Sequence, residues 1–355
     1  MANTKTFHEQ NDMENTLKLR EVLNTLPLFA RDFFRGISTT TSTSTRIKYA
    51  YDIRIFFQYL SESNPTFKNT DITKLNIDVL DKITALDLEE YIEYLKAYKQ
   101  PDSEHMITNG EKGIKRKLSA LRTFYAYFFK REMITTNPTV LIDMPKLHEK
   151  EIIRLDAGEV AALLDLIENG GDNLSAHQKA YYEKTKVRDL ALCTLLLGTG
   201  IRVSECVGLD IDDVDFRNNG VHVIRKGGSE MMVYFGEEVE KALRDYIEQR
   251  KNMVPSEGSE NALFLSSQNK RISVKAVENL VSKYSKQITT TKKITPHKFR
   301  STYGTQLYQE TGDIYLVADV LGHKDVNTTK KHYAAMSDLR RRNAAKAVKL
   351  REDVD

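Results

Sequence analysis

"GVHVIRKGGSEMMVYF", residues 220 to 235, is where the periodicity of this chain changes. Two short runs rich in β-branched and aromatic residues, 221–225 and 231–235, flank a Lys-Gly-Gly turn, which is the pattern of a β-hairpin. On either side the apolar residues recur at helical spacing. Downstream, such patterns cover 237–250, 273–286, 296–310 and 314–321. Upstream, "LDAGEVAALLDLIENG" and "VRDLALCTLLLGTG" read as helices that stop on glycine. The second half of the chain is therefore expected to be mainly α with a small β-sheet.

Farther upstream the pattern is helical throughout. Tyr49, Ile53, Phe56, Phe57 and Leu60 share one face, as do Leu88, Tyr91, Ile92 and Leu95 after a capping signal at Thr84 and Asp87. A third stripe, Ile114, Leu118, Leu121, Phe124, Tyr125 and Phe128, runs along "GIKRKLSALRTFYAYFFKRE". Pro138 and Pro145 bracket a stretch without period, which reads as an extended connector. The expected organisation is an N-terminal extension over 1–44 with a low-complexity "STTTSTST" entry, a helical domain over 45–137, a linker over 138–153 and a second domain over 154–355. Cys193 and Cys206 sit in apolar runs and read as core fillers of a reducing compartment. No stretch has the length of a bilayer span or the pattern of a signal peptide, so a cytoplasmic protein is expected.

Net charge is only +3, from 53 basic and 50 acidic residues, and excludes little by itself. The distribution says more. No acid interrupts 112–131, 279–309 or 339–350, and the cations in these windows include Lys115, Arg116, Lys117, Arg122, Lys292, Lys293 and Lys298, then Arg340, Arg341, Arg342, Lys346 and Lys349. Three acid-free, cation-rich windows suggest a polyanionic partner, against the plainer reading of solvated helix faces.

Four places could carry chemistry. In "GTGIRVSECVGL" a helix is expected to end at Gly198 and another to begin near Ile201, which puts Arg202 in a first turn suited to an anion, with Glu205 one helical step on. An ordinary surface ion pair would look the same. In "TPHKFRSTYGTQL", Thr295 reads as N-cap, Pro296 as first helical residue, and His297 and Arg300 share a face, although eight histidines make one such pair easy to meet by accident. Lys226 stands at the hairpin turn, where a lysine serves either a nucleic-acid backbone or solubility. His323 follows the helix stop at Gly322, and Tyr333 comes ten residues later in "LGHKDVNTTKKHYAAM".

Taken in order, Arg202, Lys226, His297, Arg300, His323 and Tyr333 resemble the active-site set of the tyrosine recombinases, the phage integrase family. "TGIRVSE", "HKFRSTYGT" and "LGHKDVNTT" look like its signature boxes, while "TRIKYAYDIRIFFQYL" and "KRKLSALRTFYAYFFKREMITTNP" look like its core-binding domain. Within the family the chain is most similar to the Xer group, although phage and transposon integrases share the boxes. The resemblance implies a helical, SAM-like core-binding domain and an α+β catalytic domain. It implies a site-specific recombinase that cuts and rejoins DNA through a 3′-phosphotyrosyl link, with Tyr333 as nucleophile and Glu205 in support. It further implies no metal, ATP or redox cofactor. The implied partner is double-stranded DNA with an inverted-repeat site, bound by a homotetramer on two sites, with no membrane involved and a place in the nucleoid. The last basic helix would dock on a neighbouring protomer. Two departures stand out: the His323-to-Tyr333 interval is one residue longer than the family's commonest, and "NGGDNLSAHQKAYYEKTK" is an insertion relative to compact members. The Xer likeness implies resolution of chromosome dimers; an integrase or excision recombinase of a mobile element, a type IB topoisomerase, a DNA-binding regulator without cleavage, and a metal hydrolase on His297, His323 and His332 are the competing readings.

Overall fold

The computed structural model describes residues 7–99, 105–148, 152–172, 174–225, 228–323 and 326. Lys226, Tyr333 and the basic segment 338–350 lie outside the described residues. The chain divides into two compact units, 1–150 and 151–355.

The first unit is built from α1 (Phe7–Leu23), α2 (Ala30–Gly36), α3 (Thr43–Glu62), α4 (Val79–Lys82), α5 (Ala85–Lys96) and α6 (Glu111–Phe129), with β1 (Ala97–Lys99) paired antiparallel to β2 (Met106–Thr108). The stripes read from sequence supply its core: Ile53, Phe56, Phe57 and Leu60 of α3, Leu88, Tyr91 and Leu95 of α5, and Leu118, Phe124 and Phe128 of α6 are all buried. Each such side chain contributes about 1.5–3 kcal/mol by leaving water. Phe124 adds edge-on contacts to Phe33 at 5.1 Å and to Phe128 at 5.0 Å between ring centroids. Phe33 belongs to α2, and Leu19, Val22 and Leu26 join the same core. The segment expected as an extension over 1–44 is thus part of the helical unit. The connector is also drawn in: Ile142 is buried, and the Arg122 guanidinium donates to the carbonyls of Thr139 at 2.9 Å and Ile142 at 2.6 Å.

The capping box at the start of α5 is formed as its sequence suggests, with the Asp87 carboxylate accepting from the Thr84 N–H at 2.8 Å. The basic helix α6 holds a surprise. Lys117 is buried, its ammonium 2.9 Å from Asn109 Oδ1, and Arg116 is paired with Asp52, whose carboxylate is almost fully buried. Burial raises the Asp52 pKa, opposed by Arg116 and Lys117. Arg116→Ala should therefore leave an unmatched buried carboxylate and lower stability by about 2 kcal/mol at neutral pH. A carboxyl held above its unfolded value of 3.8 binds its proton more tightly when folded, so its charging destabilises as pH rises through the folded value. The deficit of the variant should shrink on acidification, which urea melts at about pH 7 and about pH 4.5 would show. An unchanged deficit would mean that Arg116 does not serve Asp52.

The second unit contains α7 (Ala157–Asn169), α8 (Ala176–Thr199), α9 (Val203–Gly208), α10 (Glu237–Lys251), α11 (Val274–Ile288), α12 (Pro296–Thr311) and α13 (Ile314–Leu321). A three-stranded antiparallel sheet orders β3 (Val214–Asp215), β4 (Gly220–Ile224) and β5 (Glu230–Tyr234) side by side. The hairpin pairs Gly220 with Tyr234 and Ile224 with Glu230, and it buries Val221, Val223 and Val233. Its neck is closed by Arg225 N–H to Ser229 O at 2.8 Å and Gly228 N–H to Arg225 O at 3.0 Å. Helix α8 is central, packed against α7, α10 and α12, and its apolar run from Ala191 to Leu197 is buried along with both cysteines. Burial raises the pKa of both thiols, which keeps them protonated and inert. The stretch read as an insertion is largely the first half of α8, started by Ser175 in a capping box with Gln178. Among the described residues no helix is long and apolar enough to cross a membrane.

Candidate active site

Three helix ends build the site. Helix α8 stops at Gly200, which has φ +63°, and a Cβ there would sit 2.4 Å from the Tyr303 ring. The turn that follows delivers Arg202 in extended geometry at the N-cap of α9, one step before the first turn expected from sequence, because the preceding helix runs on to Thr199. Glu205, buried, accepts from both the Arg202 backbone N–H and its Nη1, each at 2.7 Å, and so fixes the guanidinium from behind. Nη2 of Arg202 reaches Gly322 O at 3.3 Å.

Helix α12 starts as its sequence suggests, with Thr295 extended and Pro296 in the first turn. His297 lies exposed on that turn, and Arg300, one turn further, is buried. Arg300 donates through Nη1 to Gly200 O at 2.6 Å and through Nη2 to Leu321 O, so a single guanidinium binds the end of α8 to the end of α13. Helix α13 closes on Gly322 at φ +61°, with the His323 N–H turned back onto Ala318 O at 2.9 Å. That left-handed turn sets the direction in which the chain leaves α13 at His323.

The terminal carbonyls of a helix lack intrahelical donors and carry partial negative charge. In α13 those of residues 319 to 322 are met by three arginines. Arg300 takes Leu321 and Arg202 takes Gly322, while Arg225 donates to Val320 O at 2.7 Å and Asp319 O at 3.4 Å. Arg225 was not singled out in the sequence; the signal was its place beside Lys226 at the hairpin neck. Burial, and the neighbouring Arg202, depress its pKa. Glu205, Arg202, Arg300, the His323 backbone and Arg225 thus gather around one helix end. A guanidinium carries five N–H donors, and that of the partly exposed Arg202 can present some of them to an anion.

The cations proposed from sequence to hold DNA divide. Arg116, Lys117 and Arg122 have the internal partners given above, and Lys292 is bound to Glu159 at 2.6 Å. Lys293 is exposed, Lys115 and Lys298 are half-exposed, and no salt bridge of theirs is formed among the described residues.

Comparison with known proteins points the same way. The Phage integrase family profile matches residues 154–340. A tyrosine recombinase XerC of Caldanaerobacter subterraneus subsp. tengcongensis is 32% identical over 341 residues, spanning 92% of this chain and 88% of that protein. A tyrosine recombinase XerS of Streptococcus equi subsp. zooepidemicus is 29% identical over 347 residues, spanning 90% and 95%. Among solved structures, XerH bound to palindromic difH substrate in a post-cleavage complex aligns with a TM-score of 0.66 at 18% identity, covering 97% of this chain and 90% of that one. The Tn1549 transposon integrase in complex with circular intermediate DNA aligns at 0.59 and 20% identity, covering 85% and 93%. The chain belongs to the phage integrase family and is a tyrosine recombinase, an enzyme that cuts and rejoins DNA.

Proposed function

We propose that this recombinase acts as the Xer enzymes do, at an inverted-repeat site on double-stranded DNA, as a homotetramer spanning two sites and resolving chromosome dimers. The observation that carries the chemistry is the pair of guanidinia, Arg202 and Arg300, held on adjacent carbonyls at the turn that leads into His323. A phosphodiester seated there meets preorganised cationic donors. Negative charge grows on its non-bridging oxygens as phosphorus becomes five-coordinate, and one such donor is worth about 3–4 kcal/mol in comparable oxyanion sites.

Tyr333 supplies the nucleophile. Its phenol, with an ordinary pKa near 10, passes its proton to His297 as the new P–O bond forms. The 5′-oxygen leaves with the old bonding pair and takes a proton from Lys226. The phosphotyrosyl link conserves the bond energy, and a 5′-hydroxyl of the partner strand reverses the step. A nicked suicide duplex, which loses its 5′ fragment after cleavage, tests this reading: a covalent complex should accumulate, and its tryptic peptide should carry the nucleotide on Tyr333. No complex, or a complex through another residue, would overturn it. Relaxation of supercoils without strand exchange would favour the topoisomerase reading instead.

Lys293 is proposed as a backbone contact just ahead of α12. Lys293→Ala should flatten the dependence of log K on log salt by about 0.9 while leaving the melting temperature unchanged. An unaltered slope would remove Lys293 from the interface.

A further inference from the structure

Arg225 is the one cation of the cluster that the reaction as written does not use. It is the last residue before Lys226, with its own backbone fixing both sides of the hairpin neck. Its guanidinium crosses to the last turn of α13, where it donates to Val320 O and Asp319 O. There it occupies the space over Gly322: a Cβ on that glycine would lie 1.7 Å from Arg225 Nη1. The left-handed turn before His323 and the seat of Arg225 are therefore a matched pair, since any side chain at 322 would expel the guanidinium. Among the described residues Arg225 Nε is buried without an acceptor, while its Nη atoms reach the two α13 carbonyls.

We propose that Arg225 is a positioning residue that latches the base of the β4–β5 hairpin to the C-terminal turn of α13 and so sets where Lys226 delivers its proton. This rests on Lys226 being the acid of the proposed reaction. An ammonium on a flexible four-carbon stem has wide reach, and its usefulness depends on how firmly its backbone is placed. The latch ties that backbone, through one residue, to the same turn that receives Arg202 and Arg300. Phosphate clamp and acid then share a single reference point.

The step divides cleanly by leaving group. With an ordinary phosphodiester, O5′ departs with the bonding pair and needs a proton. With a 5′-bridging phosphorothiolate, sulfur departs as a thiolate, stable without one because a thiol pKa is about 8.5. Arg225→Met, of similar length but without donors, should bind the duplex as the parent does and cleave the ordinary site about 100-fold more slowly. On the phosphorothiolate site its rate should return to that of the parent. Arg225→Lys, which keeps one charged donor, should recover part of the loss on the ordinary site, and a mere folding defect would slow both substrates alike. Parental cleavage of the ordinary site by Arg225→Met, or an equal deficit on both sites, overturns the latch. Lys226→Ala run in parallel separates the two failures. If sulfur rescues it but not Arg225→Met, the latch is wrong; if sulfur rescues neither, the assignment of the acid falls and the latch with it.

Discussion

Tyr333→Phe binds its DNA site with parental affinity and forms no covalent complex with a nicked duplex; that is the expected result, with cleavage reduced by at least about 10⁴-fold. The phenylalanine keeps the ring and loses only the hydroxyl proposed to bond to phosphorus. Arg202, Arg300 and the cations outside the site are untouched, so affinity should hold. The informative failure is a residual adduct. The rival phenol is Tyr303, packed against Gly200 at the heart of the site. Burial raises its pKa, which makes it the poorer nucleophile, and an adduct mapped to it would displace Tyr333 from the mechanism.

Arg300→Ala should fail twice over. It removes a guanidinium from the proposed phosphate clamp, for which a loss of about 10³-fold in cleavage is expected. It also leaves Gly200 O and Leu321 O without their donor in a buried setting, costing about 1–3 kcal/mol each. For a unit of this size that corresponds to a fall in melting temperature of roughly 8 °C. Arg300→Lys keeps the charge but cannot bridge two carbonyls as a planar fork does, so it should recover some stability and little activity. Calorimetry beside cleavage kinetics decides the point. An alanine variant that melts with the parent would show that Arg300 does not hold the three helix ends together, and one that cleaves normally would remove it from the clamp.

The parts of this architecture that were legible in the sequence are those with local signals. Thr84 with Asp87, Thr295 with Pro296, and the glycine at 322 mark helix boundaries through contacts a few residues long, while the stop of α8, expected at Gly198, falls at Gly200. The ordered set of Arg202, His297, Arg300 and His323 was legible because motif boxes preserve spacing. What escaped depends on distant partners. Lys117 looks like one more cation on a basic helix, and only Asn109 and the packing around it explain its burial. Leu19, Val22 and Phe33 carry no strong helical stripe, so their membership of the first core appears only when α6 is in place. Arg225 sits in a hairpin of ordinary composition, and its purpose is set by α13, almost one hundred residues later. The strands β1 and β2 are three residues each, too short for an alternating pattern to register.

The guanidinia of Arg225 and Arg300 are aimed by peptide oxygens at the tips of two helices, and that of Arg202 by one such oxygen together with Glu205. Every residue type offers such an oxygen. Substitution of surrounding side chains should therefore leave the Arg225 and Arg300 guanidinia in place, so long as each helix keeps its stopping point. The alignment of these guanidinia therefore rests on two small residues, Gly200 and Gly322, whose left-handed conformations end the helices.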